Sequence, residues 1–155
     1  MAFNKNQFLN EIILPTLETL GLTTGAELLL GTCAVESDFG TYLRQVKGPA
    51  LGVFMVEPET HNDLWKNFLG YRPQLAERMR QIAGTSFIKE EILVSNLAYS
   101  CAVARVLYYR IPAPLPNPKD VLALAKYWKK YYNTTLGKGT PSHFMKKWMT
   151  YAEGA

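Results

Sequence analysis

The chain has 155 residues, 48% of them hydrophobic, enough to bury one sizeable core, and its length points to a single domain. No apolar stretch approaches the roughly 20 residues that span a bilayer, because Glu27, Thr32 and Glu36 interrupt the longest one, so stable membrane insertion is excluded. A net charge of +4 with a pI near 9.0 favours an acidic polymer as partner, without choosing between nucleic acid and an anionic cell wall.

The first residues, Met-Ala-Phe-Asn-Lys-Asn-Gln-Phe, lack the apolar run and small-residue cleavage site of a secretion signal. Residues 4–20 read as an amphipathic helix with Phe8, Ile12, Ile13, Leu17 and Leu20 inward, kinked or divided at Pro15 and closed by Gly21. Thr24 with Glu27 has the spacing of a capping box, predicting a helix that runs from there to about Tyr42. Residues 44–58 hold two glycines and two prolines and form a loop, with a short extended piece at Val53 to Val56. Pro58 and Pro73 each open a helix, the first to about Leu69 and the second to Gly84. A long helix follows over 88–109, with Ile92, Leu93, Leu97, Cys101, Ala104 and Tyr108 inward. Four prolines between Ile111 and Pro118 then make a stiff connector. Asn117 with Pro118, and Thr140 with Pro141, are N-cap and first-turn pairs for two last helices, to about Tyr132 and about Tyr151. The expectation is a mainly α domain with at most a minimal β element. Cys33 and Cys101, in apolar helical context, read as free buried thiols rather than a disulfide framework.

Within the helix after Thr24, stepping by helical periods places Leu29, Cys33, Glu36, Gly40 and Leu43 on one stripe, while Asp38 projects elsewhere into water. A partly buried glutamate resists ionisation, which is the state a general acid needs near neutral pH. The competing reading ties Glu36 to Arg44 or Arg105 in a structural ion pair. No phosphate-cradling glycine motif, paired Cys-x-x-Cys, His-Glu-x-x-His or nucleophile elbow is present. With His61 and His143 as the only histidines, neither a metal site nor a cofactor is expected.

Glu36-Ser37, followed after a gap by Gly48-Pro-Ala-Leu-Gly-Val-Phe-Met-Val-Glu-Pro-Glu-Thr-His61, resembles the central signature of soluble lytic transglycosylases and goose-type lysozymes. Asn96-Leu-Ala-Tyr-Ser and Leu124-Ala-Lys-Tyr-Trp resemble two later elements of that family, so the likeness covers roughly residues 20–150. The resemblance implies a lysozyme-like fold and a monomeric enzyme that cleaves the β-1,4 bond between the two amino sugars of peptidoglycan. In this reading Glu36 is the general acid, Ser37 a supporting or substrate-contacting hydroxyl, and Met55 and His61 lie along the sugar. Tyr127 matches the family tyrosine that faces the catalytic carboxylate. Glu57 takes the place of a second carboxylate, or else serves as a favourable charge at a helix start. Met55 stands where the family has Gln, and Trp128 where it has Asn.

The size and the Tyr-Trp-Lys-Lys-Tyr-Tyr-Asn-Thr run are similar to phage-encoded members, implying an endolysin held in the host cytoplasm until the membrane is breached, or an enzyme carried in the virion. Two other readings stand beside it. One is a non-catalytic virion or wall-binding module. The other is a small nucleic-acid binder, suggested by six lysines among Tyr127, Trp128, Tyr131, Tyr132, Trp148 and Tyr151 with no acid between Val121 and Ala152.

Overall fold

The computed structural model describes residues 1–134 and 137–153, and over these the protein is mainly helical, with β-pairing confined to isolated bridges from Leu51 to Arg44 and to Val56. The first helix is one rod in three parts: α1 (Lys5–Phe8), a π-helical stretch (Leu9–Ile13) and α2 (Leu14–Leu20). The π segment lies just before Pro15, where the chain must do without one backbone donor, and it takes the place of the expected kink. Phe8, Ile13, Leu17 and Leu20 point inward, and Gly21, at φ 73°, closes the rod in the left-handed region.

The other helices are α3 (Ala26–Ser37), α4 (Pro58–Asn67), α5 (Pro73–Ala83), α6 (Ile92–Ser95), α7 (Leu97–Tyr109), α8 (Val121–Trp128) and α9 (Pro141–Tyr151). The prolines at 58, 73 and 141 stand in first turns as the sequence indicates, and Thr140 caps α9 through a reciprocal box with His143.

Four local expectations are overturned. Thr24 is not a cap: its carbonyl accepts from Arg105 Nε at 2.9 Å, and Gly25, at φ 98°, is the residue that precedes α3. The helix over 88–109 is broken at Asn96, which turns extended, caps Tyr99 N through its Oδ1 and donates Nδ2 to the Ile82 carbonyl. Asn117 makes a local turn with Lys119 N, and Asp120 caps α8 instead. Finally, α3 ends at Ser37 rather than near Tyr42.

Nine of the twelve residues of α3 are buried, so it is covered on all sides rather than amphipathic, with α9, α8, α7 and the π segment of the first rod packed around it. The contact with α9 depends on Gly31. A Cβ there would lie 2.1 Å from Cζ of Phe144, a ring that is fully buried and has nowhere to retreat. No described helix is long and apolar enough to cross a membrane.

Gly31→Ala overpacks this contact and is expected to destabilise the fold by about 1–3 kcal/mol, read as a lower urea midpoint at unchanged m-value. A midpoint equal to the wild type's would show that α9 is not seated against α3.

Candidate active site

The end of α3 is built to stop abruptly. Ser37 Oγ donates to the Cys33 carbonyl at 3.1 Å and accepts from Gly40 N at 2.9 Å, while Asp38 and Phe39 both take positive φ, at 49° and 55°. Two successive non-glycine residues in the left-handed region cost about 1–3 kcal/mol each, and packing holds them there. Phe39 is fully buried, stacked on Tyr151 at 5.7 Å and set edge-on to Phe8, and Asp38 forms an ion pair with Lys147 of α9. Asp38 is thus a clasp between α3 and α9, not a free solvated acid.

Glu36 sits just ahead of this turn, partly buried. Its Oε2 accepts from Trp128 Nε1 at 3.0 Å. The other oxygen has no partner among the described residues and is not fully enclosed, since the buried unpartnered side-chain polar atoms there reduce to Ser100 Oγ. Burial pushes the carboxyl pKa up to about 7, and the indole N–H pulls in the opposite direction. Among the described residues no cation holds Glu36. Arg44 pairs with Glu91 at 2.5 Å, and Arg105 is occupied by Thr24, so the structural ion-pair reading fails. No acid drives the shift either: a second carboxylate beside Glu36 would raise its pKa by charge repulsion, and burial is the one raising cause.

Tyr132 and Tyr108, stacked at 5.2 Å, lie within reach of the charge of Glu36, which adds to the burial that keeps both hydroxyls protonated. Tyr108 is bonded to Thr32 Oγ1 at 2.8 Å. Tyr132 donates to the Phe54 carbonyl at 2.6 Å, which ties the loop that carries Met55 to the same neighbourhood. That loop is a tight turn: Leu51 and Val56 exchange both backbone bonds, and Met55, half-buried at φ 48°, donates its N–H to the Gly52 carbonyl.

The remaining proposed residues do different work. Ser37, 1% exposed with its hydroxyl engaged twice in the α3 turn, supports Glu36 and offers nothing to a substrate. Tyr127 donates to the Ala113 carbonyl at 2.8 Å, and the α8 residue that meets Glu36 is its neighbour Trp128. His61 is buried and neutral: Tyr99 receives the Trp65 indole N–H at 2.8 Å and lies 2.6 Å from His61 Nε2, while Nδ1 faces Asn62 Oδ1 at 3.0 Å. Burial holds its pKa below the usual histidine value, so His61 links α4 to α7. Glu57 is exposed at the extended residue before Pro58 and makes no side-chain capping bond.

Trp128 and Tyr132, which sequence reasoning did not place at the carboxyl, are four residues apart and so share a helix face, one that excludes Tyr127 and Tyr131. The lysine-aromatic stretch is largely structural. Tyr127, Trp128 and Trp148 are in the core, and Lys129 donates to Asn133 Oδ1 and the Gly137 carbonyl. Two depressions lie away from Glu36, one of about 560 Å³ beside Pro73 and Arg78 and one of about 380 Å³ beside Trp65 and Arg80. Neither is lined by Glu36. Comparison with family models, curated proteins and solved structures returns no match.

The raised pKa fixes a sign. A carboxyl that protonates near pH 7 when folded and near 4.5 in its ordinary state adds stability below about pH 4.5 that is lost as pH rises to about 7. Glu36→Gln is therefore expected to gain roughly 1–3 kcal/mol on the wild type between pH 4.5 and 8. Denaturant titrations at the two pH values check this; a constant difference between the two proteins would mean that Glu36 is solvated like a surface acid.

Proposed function

We propose that the protein is a lysozyme-like, peptidoglycan-cleaving glycosidase working as a lytic transglycosylase, with Glu36 as its acid and then its base. The observation that carries this reading is a carboxyl pushed up to about 7 by burial, with one oxygen held by Trp128 and the other open. Near neutral pH a large fraction of Glu36 carries a proton. It donates that proton to the glycosidic oxygen between N-acetylmuramic acid and N-acetylglucosamine as the C1–O bond breaks. Glu36, now ionised, takes a proton from the muramic 6-hydroxyl as that oxygen closes on C1. No water is consumed.

The one-acid form is favoured over two-carboxylate hydrolysis by the environment of Glu36. A retaining partner stands about 5–5.5 Å away and an inverting one about 6.5–9.5 Å. Asp38 is taken by Lys147, and no acid contributes to the Glu36 shift. The order of the family-like segments around Glu36, and the loop tied to Tyr132, support the lysozyme-like assignment. With Met55 in place of Gln, the loop meets the sugar through a thioether and its backbone. An enzyme of this kind reaches the wall from the cytoplasm of a lysing host or from the virion.

Glu36→Gln keeps the shape and removes the proton, and is expected to lower wall lysis 10²–10⁴-fold in a turbidity assay on purified peptidoglycan. Survival of lysis within about tenfold excludes Glu36 as the acid. Mass spectrometry of the wild-type digest is expected to yield 1,6-anhydro-muropeptides. Products heavier by one water would instead establish a hydrolytic lysozyme, and no products at all would leave a wall-binding module.

A further inference from the structure

We infer that Trp128 is the positioning residue of Glu36, an indole locked by its own packing so that its N–H holds one carboxyl oxygen and leaves the other to the substrate. The inference rests on Glu36 being the acid, but its geometry is separate from that reading.

The indole has almost no freedom. It is 1% exposed, and its ring lies against Phe144 of α9 at 5.7 Å. Its far edge is blocked by the backbone at Gly139, where a Cβ would come within 2.4 Å of Trp128 Cη2. Phe144 is itself seated in the notch of Gly31, on the same helix as Glu36. The chain of contacts closes on itself, from Gly31 to Phe144, to Trp128, and back to Glu36. Two missing side chains set where the ring lies, and the ring sets where the N–H points. An indole N–H can donate but never accept, so it favours an unprotonated oxygen at Oε2. In the acid form the proton therefore sits on Oε1, the open oxygen, where it can reach a glycosidic oxygen. A residue able to accept at this place, such as a serine, would let the proton turn inward.

The charged and titratable groups around Glu36 leave this role to Trp128. Cys33 on α3, Tyr108 on α7 and Tyr132 after α8 stay uncharged near neutral pH, since burial raises each of them. Lys147, which α9 brings to this end of α3, is paired with Asp38, and the π segment of the first rod carries one charged residue, the exposed Glu11.

Two measurements test the inference. In the intact protein, the indole ¹⁵N–¹H resonance of Trp128 is expected to titrate with a midpoint near 7 and to stop titrating in Glu36→Gln; a resonance that stays flat from pH 5 to 9 overturns the inference. Trp128→Phe keeps a ring against Phe144 and removes the donor. It is expected to lower kcat on peptidoglycan about 10–100-fold with KM changed less than about twofold. Because the lost N–H favoured the ionised form, the alkaline limb of the activity profile should also move to higher pH. A Trp128→Phe enzyme that keeps both kcat and the position of that limb overturns the inference; if the variant does not fold, the wild-type indole titration decides. Should Glu36→Gln retain lysis, the functional reading falls, and the titration still settles whether Trp128 holds the carboxyl.

Discussion

A single hydrogen bond, from the Trp128 indole to Glu36 across 92 residues of chain, joins the two halves of the molecule that matter for chemistry. Its donor stands on α8 and its acceptor on α3, and each is seated in part by residues of the other half, Gly31 beneath Phe144 for the indole and Lys147 against Asp38 for the turn after α3. The bond balances opposing tendencies. Burial pulls Glu36 toward its protonated form, whereas full exposure would leave it an ordinary ionised acid. One fixed donor on one oxygen places the carboxyl between these limits, where it can both release and recover a proton.

The same region carries two of the positive-φ non-glycine residues among the described residues, the two that are consecutive. Asp38 and Phe39 are held left-handed by contacts with Phe8, Lys147 and Tyr151, elements from both ends of the chain. Such strain persists only where the surroundings over-determine it. Its effect is to end α3 one residue after Glu36, so that the carboxyl lies at the helix end rather than inside a continuous rod. The C-terminal helix is therefore part of the site's framework even though it supplies no reacting group.

Much of the scaffold was legible because its signals are local. Pro58, Pro73 and Pro141 mark helix starts through their own missing N–H groups, and Gly21 and Gly84 mark helix ends through positive φ. Glu36 also stood out, as a carboxylate in an apolar run. What failed was decided at a distance. Arg105 takes Thr24 out of its capping position, and the carbonyl of Ile82 helps break the chain at Asn96 inside an otherwise continuous apolar pattern. The early end of α3 carries no glycine at 38 or 39 to announce it. Trp128, set apart only by standing where an asparagine was expected, proved to be the partner of the carboxyl, while Tyr127 turned to Ala113. Neighbouring aromatics on one helix point about 100° apart, and which of these two buried rings meets the acid depends on packing against Phe144 that no local pattern encodes.

The most direct test of the account is the ionisation of Glu36 itself. A ¹³C-detected NMR titration of glutamate side-chain carboxyl carbons, with Glu36 assigned from its Gln variant, reads it without reference to any substrate. A midpoint near 7 is the result this structure predicts. A midpoint between 4 and 5, roughly that of a solvated glutamate, would contradict it and leave the protein without a group able to act as the acid.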